Sequence, residues 1–341
     1  MPFMKFIRVL LFPVVPIYFL ITWVRNKMYD FGWLSSKSYD LPIICVGNLS
    51  TGGTGKSPTI EYLIRLLHKD YKLATLSRGY KRATKGFQIG DESCNASQIG
   101  DEPFQFYRKF KDITVAVDSD RQNGIANLIT KVNPDLILLD DAFQHRKVNP
   151  GFSILLTSYD NLYTKDIVLP TGNLREPRSG ARRAHCIVVT KCPHTISNSD
   201  KARIVSELNP KTKQQVFFSR IVYSNMLLSK GEDIQLEQLK SNPITIVTGI
   251  ANPKPMLDFL KTEGVVYEHL AYADHHQFSM SEIEMLKKKK VILTTEKDYV
   301  RLQDHFDSAD ATKLYYLPIH FQIDDHEQFD TMIKMYLKTG L

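Results

Sequence analysis

The sequence predicts an α/β protein: a first domain built on a large, mostly parallel sheet, then a second, smaller α/β domain. Three observations carry this expectation. From about Leu41 onward, short apolar runs alternate with longer amphipathic or polar segments, the pattern of βαβ units whose sheet is covered on both faces. A glycine-rich turn directly follows the first of those runs, and the texture of the chain changes between residues 220 and 241. The length, 341 residues, is about two domains at ~150 residues each, enough to bury sizeable cores without disulfides.

Composition narrows the class. Hydrophobic residues at 43% and charged residues at 24% exclude a disordered, collagen-like or many-span membrane chain. Forty-four Lys and Arg against 37 Asp and Glu leave +7, which suits phosphate-bearing ligands, nucleic acid or an anionic membrane surface. No basic stripe interleaved with aromatics is present, so nucleic acid is not an expected partner. Cys45, Cys94, Cys186 and Cys192 form no C-x-x-C pair, which reads as free thiols in a reducing compartment.

Taken in order, residues 1–35 form a hydrophobic segment. Val9–Val24 is an uncharged run of 16 residues flanked by Lys5, Arg8, Arg25 and Lys27. It falls short of the ~20 residues of a spanning helix, and Pro13 and Pro16 would break one. No small-residue cleavage site follows, so the segment is expected to lie in a membrane interface, with an arm packed on the protein's own core as the other reading.

Residues 36–220 supply the strands PIICVG, KLATLS, ITVAV, DLILLD, FSILLT, HCIVVT and QVFFS of the first domain. Residues 221–241 read as a connector with hairpin features. Residues 242–341 carry the strands PITIVTGI, VVYEHLAY, KVILTT and KLYYLPI, with helices over 255–263 and 281–290.

The chemistry is concentrated after the first strand, in VGNLSTGGTGKSPTIEYLIRLL. Gly52, Gly53, Thr54 and Gly55 form an unhindered loop whose N–H groups, with the positive end of the following helix, can wrap phosphates. Lys56 would reach the β- and γ-phosphates and the Ser57 hydroxyl would ligate magnesium. The motif is a variant, because Ser50 stands where the strict pattern has glycine. It makes the first domain P-loop NTPase-like. Such a loop predicts a magnesium-binding acid at a nearby strand tip, and DLILLDDAFQH offers Asp140 and Asp141. The guanine-reading signature is missing: Thr190-Lys191-Cys192-Pro193 has proline in place of the aspartate, which favours ATP.

Polar clusters rich in Arg, Asp, Glu and His follow the other strands, where open α/β sheets bind ligands and where phosphoryl transfer needs cations and a proton acceptor. VGNLSTGGTGKSP, LSRGYKR, GDEP, LLDDAFQH, LPTGNLREP, ADHHQF and TEKD, in this order behind an apolar N-terminus, resemble the tetraacyldisaccharide 4'-kinases, the lipid A 4'-kinases of Gram-negative bacteria. The resemblance runs over roughly residues 5–300. Ser57 replaces the more usual Thr, and Ala142 stands where Gly is common.

The resemblance implies transfer of the ATP γ-phosphate to the 4'-hydroxyl of a tetraacyldisaccharide 1-phosphate, forming lipid IVA, with Mg2+ as cofactor. The work would be done at the cytoplasmic face of the inner membrane, by a protein expected to be a monomer. It places the family's acid–base pair on Asp101 and His275. Glu102, Asp140 and Asp141 would organise magnesium, Gln144 would lie near nucleotide or substrate, and Arg78, Arg121 and Arg175 would meet phosphate or transition-state charge. His145, His276, Glu296 and Asp298 stay open between supporting groups and loop caps. The alternative is a membrane-tethered P-loop switch or metallochaperone-like NTPase, against which the absence of a Cys/His metal-delivery cluster counts.

Overall fold

The computed structural model describes residues 8–240, 243–274, 276–306 and 314–339. The apolar N-terminal run forms a short 3-10 turn, Phe12–Val14, and helix α1, Val15–Asp30. Pro13 and Pro16 fall in the opening turns of these two elements, where a missing N–H costs nothing, so they start the helix instead of breaking it. Among the described residues no helix is long and apolar enough to cross a membrane.

The apolar runs become β1 (Ile43–Asn48), β2 (Leu73–Ser77), β3 (Gln88–Ile89), β4 (Thr114–Val117), β5 (Leu136–Asp140), β6 (Phe152–Ser158), β7 (Cys186–Thr190) and β8 (Gln215–Tyr223). Between them run α2 (Lys56–Leu67), α3 (Ala96–Ile99), α4 (Asp101–Lys109), α5 (Arg121–Lys131) and α6 (Asn198–Leu208). β1 lies between β5 and β6 and pairs parallel with both.

Period-two alternation assigns the faces. Ile44 and Val46 point to the side covered by Ile60, Leu63 and Ile64 of α2, and Ile43 and Cys45 point to the side covered by Ile125 and Leu128 of α5. Because both faces are covered, the strands are apolar throughout rather than alternating with polar residues.

A small hairpin follows, β9 (Met226–Leu227) with β10 (Ile234–Gln235). Next comes a parallel sheet of β11 (Ile244–Thr248), β12 (Tyr267–Ala271), β13 (Ile292–Thr295) and β14 (Leu314–Leu317), in the order β12-β11-β13-β14. Helices α7 (Lys254–Thr262), α8 (Met280–Lys287) and α9 (Glu296–Leu302) connect its strands.

The end of the chain departs from the expected boundary. The sequence places residues 242–341 in the second domain, yet β15 (Ile319–Ile323) pairs antiparallel with β8 and becomes the edge of the first sheet, whose described strands run β15-β8-β7-β6-β1-β5-β2-β4-β3. Helix α10 (His326–Thr339) then lays Phe329, Ile333 and Tyr336, spaced along one helical stripe, onto the same core as β1 and α2. Tyr336 ties the helix down by donating its hydroxyl to the Ile43 carbonyl. The second unit is thus an insertion whose two ends are held by the first.

Candidate active site

The site gathers at the carboxyl ends of β1, β5 and β7, where the strand order switches from one side of β1 to the other. Gly55 caps the N-terminus of α2 at φ +87°, a left-handed conformation that a side chain resists, and so leaves the helix N–H groups open to a phosphate. Gly47 is required for closeness: a Cβ there would stand 2.6 Å from the Cβ of Phe143 in the loop after β5. The loop is braced from within. Asn48 donates to Thr54 Oγ1 at 2.7 Å, Thr190 donates to the Thr54 carbonyl at 2.8 Å, and the Lys191 ammonium reaches the Gly53 carbonyl.

Around this loop stand the carboxylates. Ser57 Oγ donates to Glu102 Oε1 at 2.8 Å, and Lys56 Nζ lies 3.8 Å from Asp141 Oδ1. Burial would raise the Glu102 carboxyl, but the Lys297 and Lys56 ammonium groups and the Ser57 hydroxyl outweigh it and hold the group at about 2. Asp140 goes the other way. Burial, with the charges of Glu102 and Asp141, pushes it up to about 7 against the opposing pull of Lys56 and Arg121.

One Asp140 oxygen, Oδ1, is buried with no hydrogen-bond partner, while Oδ2 accepts from Ser77 at 3.3 Å. An orphaned carboxylate oxygen beside Ser57 and Glu102 is a set of hard oxygen donors suited to magnesium. Asp141 is less available, since Arg175 donates to its Oδ1 at 2.7 Å. Among the described residues no three acidic, imidazole or thiol groups form a ready cage. Magnesium ordinarily takes only one or two protein carboxylates and fills its shell with phosphate and water.

The seam between the two units runs from α4 to α9. Arg301 pairs with Asp101 and, at 3.0 Å, with Asp298. Lys297 Nζ lies 2.8 Å from Glu102 Oε1. Lys109 bridges Glu61 and Glu296, each at 2.7 Å, and so ties α2 to α9 through α4. His275, the expected partner of Asp101, lies outside the described residues. Its neighbour His276 pairs with Glu282 within the second unit, at 3.0 Å. Thr295 caps α9 by accepting from the Asp298 N–H, the Asp298 carboxylate accepts from the Gly249 N–H at 2.9 Å, and Glu296 belongs to the Lys109 bridge.

The remaining expected residues divide. Arg175 points at Asp141, and Gln144 joins the Asn48 carbonyl to Glu176 at 2.8 and 3.0 Å. Glu176, fully buried, also holds Arg183 and receives Asn26 of α1 at 2.6 Å. Arg78 is exposed and lines a basic cleft of about 380 Å3 with Lys81, Arg82 and Lys85.

Arg121 corrects the expectation. It is buried beneath the β5 tip, and its guanidinium donates to the carbonyls of Asp118 and Asp140 at 2.7 and 3.2 Å. These two bonds support the backbone under Asp140, while its Nε has no hydrogen-bond partner. His145 is half-buried, its Nε2 has no hydrogen-bond partner, and burial lowers its proton affinity.

The family model for LpxK, described as tetraacyldisaccharide-1-P 4'-kinase, matches residues 7–338. The chain belongs to this kinase family. It is 52% identical to a tetraacyldisaccharide 4'-kinase of Flavobacterium johnsoniae over 343 aligned positions covering 99% of each chain. A protein of the same name from Phocaeicola vulgatus is 43% identical, with 96% of this chain and 94% of that one covered. Among solved structures, the "apo" form of LpxK from Aquifex aeolicus in complex with ATP superposes with a TM-score of 0.80 at 29% identity, covering 97% of this chain and 99% of that one.

Membership of the kinase family bears out the P-loop reading, and the fold agrees. Four residues of the site escaped the sequence reading: Lys191, Glu176, Lys297 and Arg301. Lys297 sits inside the TEKD motif, one residue from groups that had been singled out. Burial, with the Lys297 and Lys56 charges, depresses the Lys191 ammonium against the pull of Asp160.

Proposed function

We propose that the chain transfers the γ-phosphoryl group of ATP to the 4'-hydroxyl of a tetraacyldisaccharide 1-phosphate, in lipid A biosynthesis, with Asp101 as proton acceptor. One observation carries the assignment of the base. Asp101 opens α4 directly beside Glu102, whose carboxylate is hydrogen-bonded to the P-loop Ser57, so the proton acceptor stands next to the γ-phosphate end of the nucleotide site.

In the transfer, the 4'-oxygen forms a bond to the γ-phosphorus as the bond from that phosphorus to the β–γ bridging oxygen breaks. The electron pair leaves with ADP, and the hydroxyl proton passes to the Asp101 carboxylate. The ion pair with Arg301 fixes where the carboxylate sits, so the hydroxyl meets it in one orientation. Lys56 and the N–H groups of the loop after β1 stabilise the phosphate oxygens, and Arg175, held by the same Asp141 oxygen that Lys56 approaches, adds charge beside them. Ser57, Glu102 and Asp140 would hold magnesium, which when bound neutralises β- and γ-phosphate charge. The resemblance pairs Asp101 with His275 of the second unit, a pairing that would need both units over the substrates before the proton moves.

The acceptor's four acyl chains stay in a bilayer, and α1 is built to meet it. Its inner side is polar: Tyr18 donates to the Arg175 carbonyl at 2.9 Å and Asn26 to Glu176. Its outer side exposes Ile17, Leu20, Ile21 and Trp23, with Phe31 and Trp33 beyond. An apolar face turned outward beside the catalytic loop fits insertion into an interface at the cytoplasmic leaflet, where ATP is supplied. The double substitution Ile17→Glu/Ile21→Glu touches no core, and it should abolish flotation with anionic phospholipid vesicles; flotation equal to wild type would overturn the interfacial reading.

Incubation with γ-labelled ATP and the disaccharide lipid tests the function itself. Label should appear on the lipid in a lipid-dependent manner. Label released only as inorganic phosphate would support the switch alternative, which neither the relatives' names nor the seam of charged groups favours.

A further inference from the structure

Helix α9 begins where β13 ends, and its polar residues turn toward the first unit: Glu296 to Lys109, Lys297 to Glu102 and Arg301 to Asp101. Two of these contacts are explained by the reading above. Arg301 orients the base, and Glu296 completes a bridge that holds α2, α4 and α9 in register. Lys297 has no such explanation.

Its ammonium sits 2.8 Å from Glu102 Oε1, the same oxygen that accepts the Ser57 hydroxyl at 2.8 Å. Lys297 and the P-loop hydroxyl therefore share one acceptor oxygen. The Lys56 charge also acts on Glu102, and its Nζ lies 3.8 Å from Asp141.

Glu102 Oε1 already has two donors, and a divalent cation arriving at that oxygen would repel the ammonium beside it at short range. The lysine must then leave the oxygen. A flexible four-carbon stem lets the charge swing by several ångströms while the helix stays in place. The nearest new anion is the terminal phosphate, whose place is marked by Lys56, Ser57 and the loop N–H groups.

We propose that Lys297 is a second phosphate lysine, delivered by the second unit: it neutralises Glu102 when the nucleotide is absent and binds the γ-phosphoryl oxygens when magnesium and ATP take the site. This rests on the ATP-binding part of the function proposed above and adds a residue that distinguishes a triphosphate from a diphosphate. It makes Lys297 a direct phosphate contact. The diphosphate product offers the ammonium no such partner and returns it to Glu102, so the lysine changes partner across the seam with each turnover.

The test is equilibrium binding of ATP and of ADP, each with magnesium, to the full chain by titration calorimetry, without any lipid. Lys297→Met removes the charge, Lys297→Gln removes it while keeping an N–H for Glu102, and Lys297→Arg keeps it. Both neutral variants should bind ATP about tenfold or more weaker, the range of a charged hydrogen bond, with ADP affinity within about twofold of wild type. Lys297→Arg should retain most of the preference for ATP. Manganese binding to the nucleotide-free protein should tighten in Lys297→Met, since a competitor for Glu102 is gone.

Equal losses for ATP and ADP, or no loss for either, in the neutral variant that melts like wild type would show a clamp between units and overturn the proposal. Weaker manganese binding in Lys297→Met would do the same. Because no acceptor is present, failure of the 4'-kinase reading in the phosphotransfer assay leaves this result readable, and a failure here leaves that assay unaffected.

Discussion

Asp101→Asn is expected to lower kcat by about 10²–10⁴-fold, the range for loss of a positioned general base, while ATP affinity changes by no more than about threefold. The substitution keeps the shape of the side chain and leaves an amide oxygen that can still accept from Arg301, so the seam between α4 and α9 should hold. What it removes is the basic oxygen that takes the acceptor's proton. Single-turnover phosphotransfer with saturating lipid, paired with calorimetric ATP binding, separates the two effects. His275→Ala should produce a loss of similar size, and the double variant should be scarcely worse than either single one, because a base and the histidine that supports it act as one unit. Losses that multiply would break the pairing. A fall in ATP affinity matching the fall in kcat would make Asp101 an organiser of the nucleotide site rather than the base.

Lys56→Met is expected to cost about 10²–10³-fold in kcat/KM, the scale for removing one preorganised charge from a phosphoryl-transfer site, with ATP affinity sharing in the loss. The geometry gives a second reason for a large effect. Lys56 lies 3.8 Å from Asp141 and is one of the charges that keep Glu102 and Asp140 ionisable. Without it three carboxylates face one another in a partly buried pocket, and Asp140, already raised to about 7 by burial and its acidic neighbours, becomes harder still to ionise. The variant should therefore need more magnesium to reach half its own maximal rate. A variant with unchanged magnesium demand and unchanged ATP affinity would contradict this account of Lys56.

Lys56 was legible because its signal is local, whereas Asp101 was marked only by the resemblance that its GDEP motif helps to carry. A strand, a glycine-rich turn and a helix are contiguous, so the phosphate loop is written in one stretch from Val46 to Leu67, and Asp140 and Asp141 are marked by the apolar run that ends at them. Arg121 misled for the same reason. An arginine after a strand looks like a phosphate contact until packing shows it turned inward under Asp140. Lys297 and Glu176 lie inside the TEKD and LPTGNLREP motifs and Lys191 in the TKCP stretch, but nothing local in the sequence gave them, or Arg301, a role of their own. Their meaning comes from partners far along the chain, Glu102, Asp101, Asn26 and Gly53.

By itself the sequence determined the α/β class, the position of each central strand, the phosphate loop with Lys56 and Ser57, and the acidic strand tip, because periodicity and motif chemistry act over a few residues. Only the tertiary structure decided that β15 and α10 return to the first sheet, since a five-residue edge strand is specified by its pairing with β8 and by the core that Phe329, Ile333 and Tyr336 complete. The same holds for the outward turn of the apolar face of α1, which follows from the buried Glu176 claiming Asn26, and for the ion pairs that join α4 to α9. A charge acquires its role from the opposite charge it meets, and that meeting is a property of the folded chain.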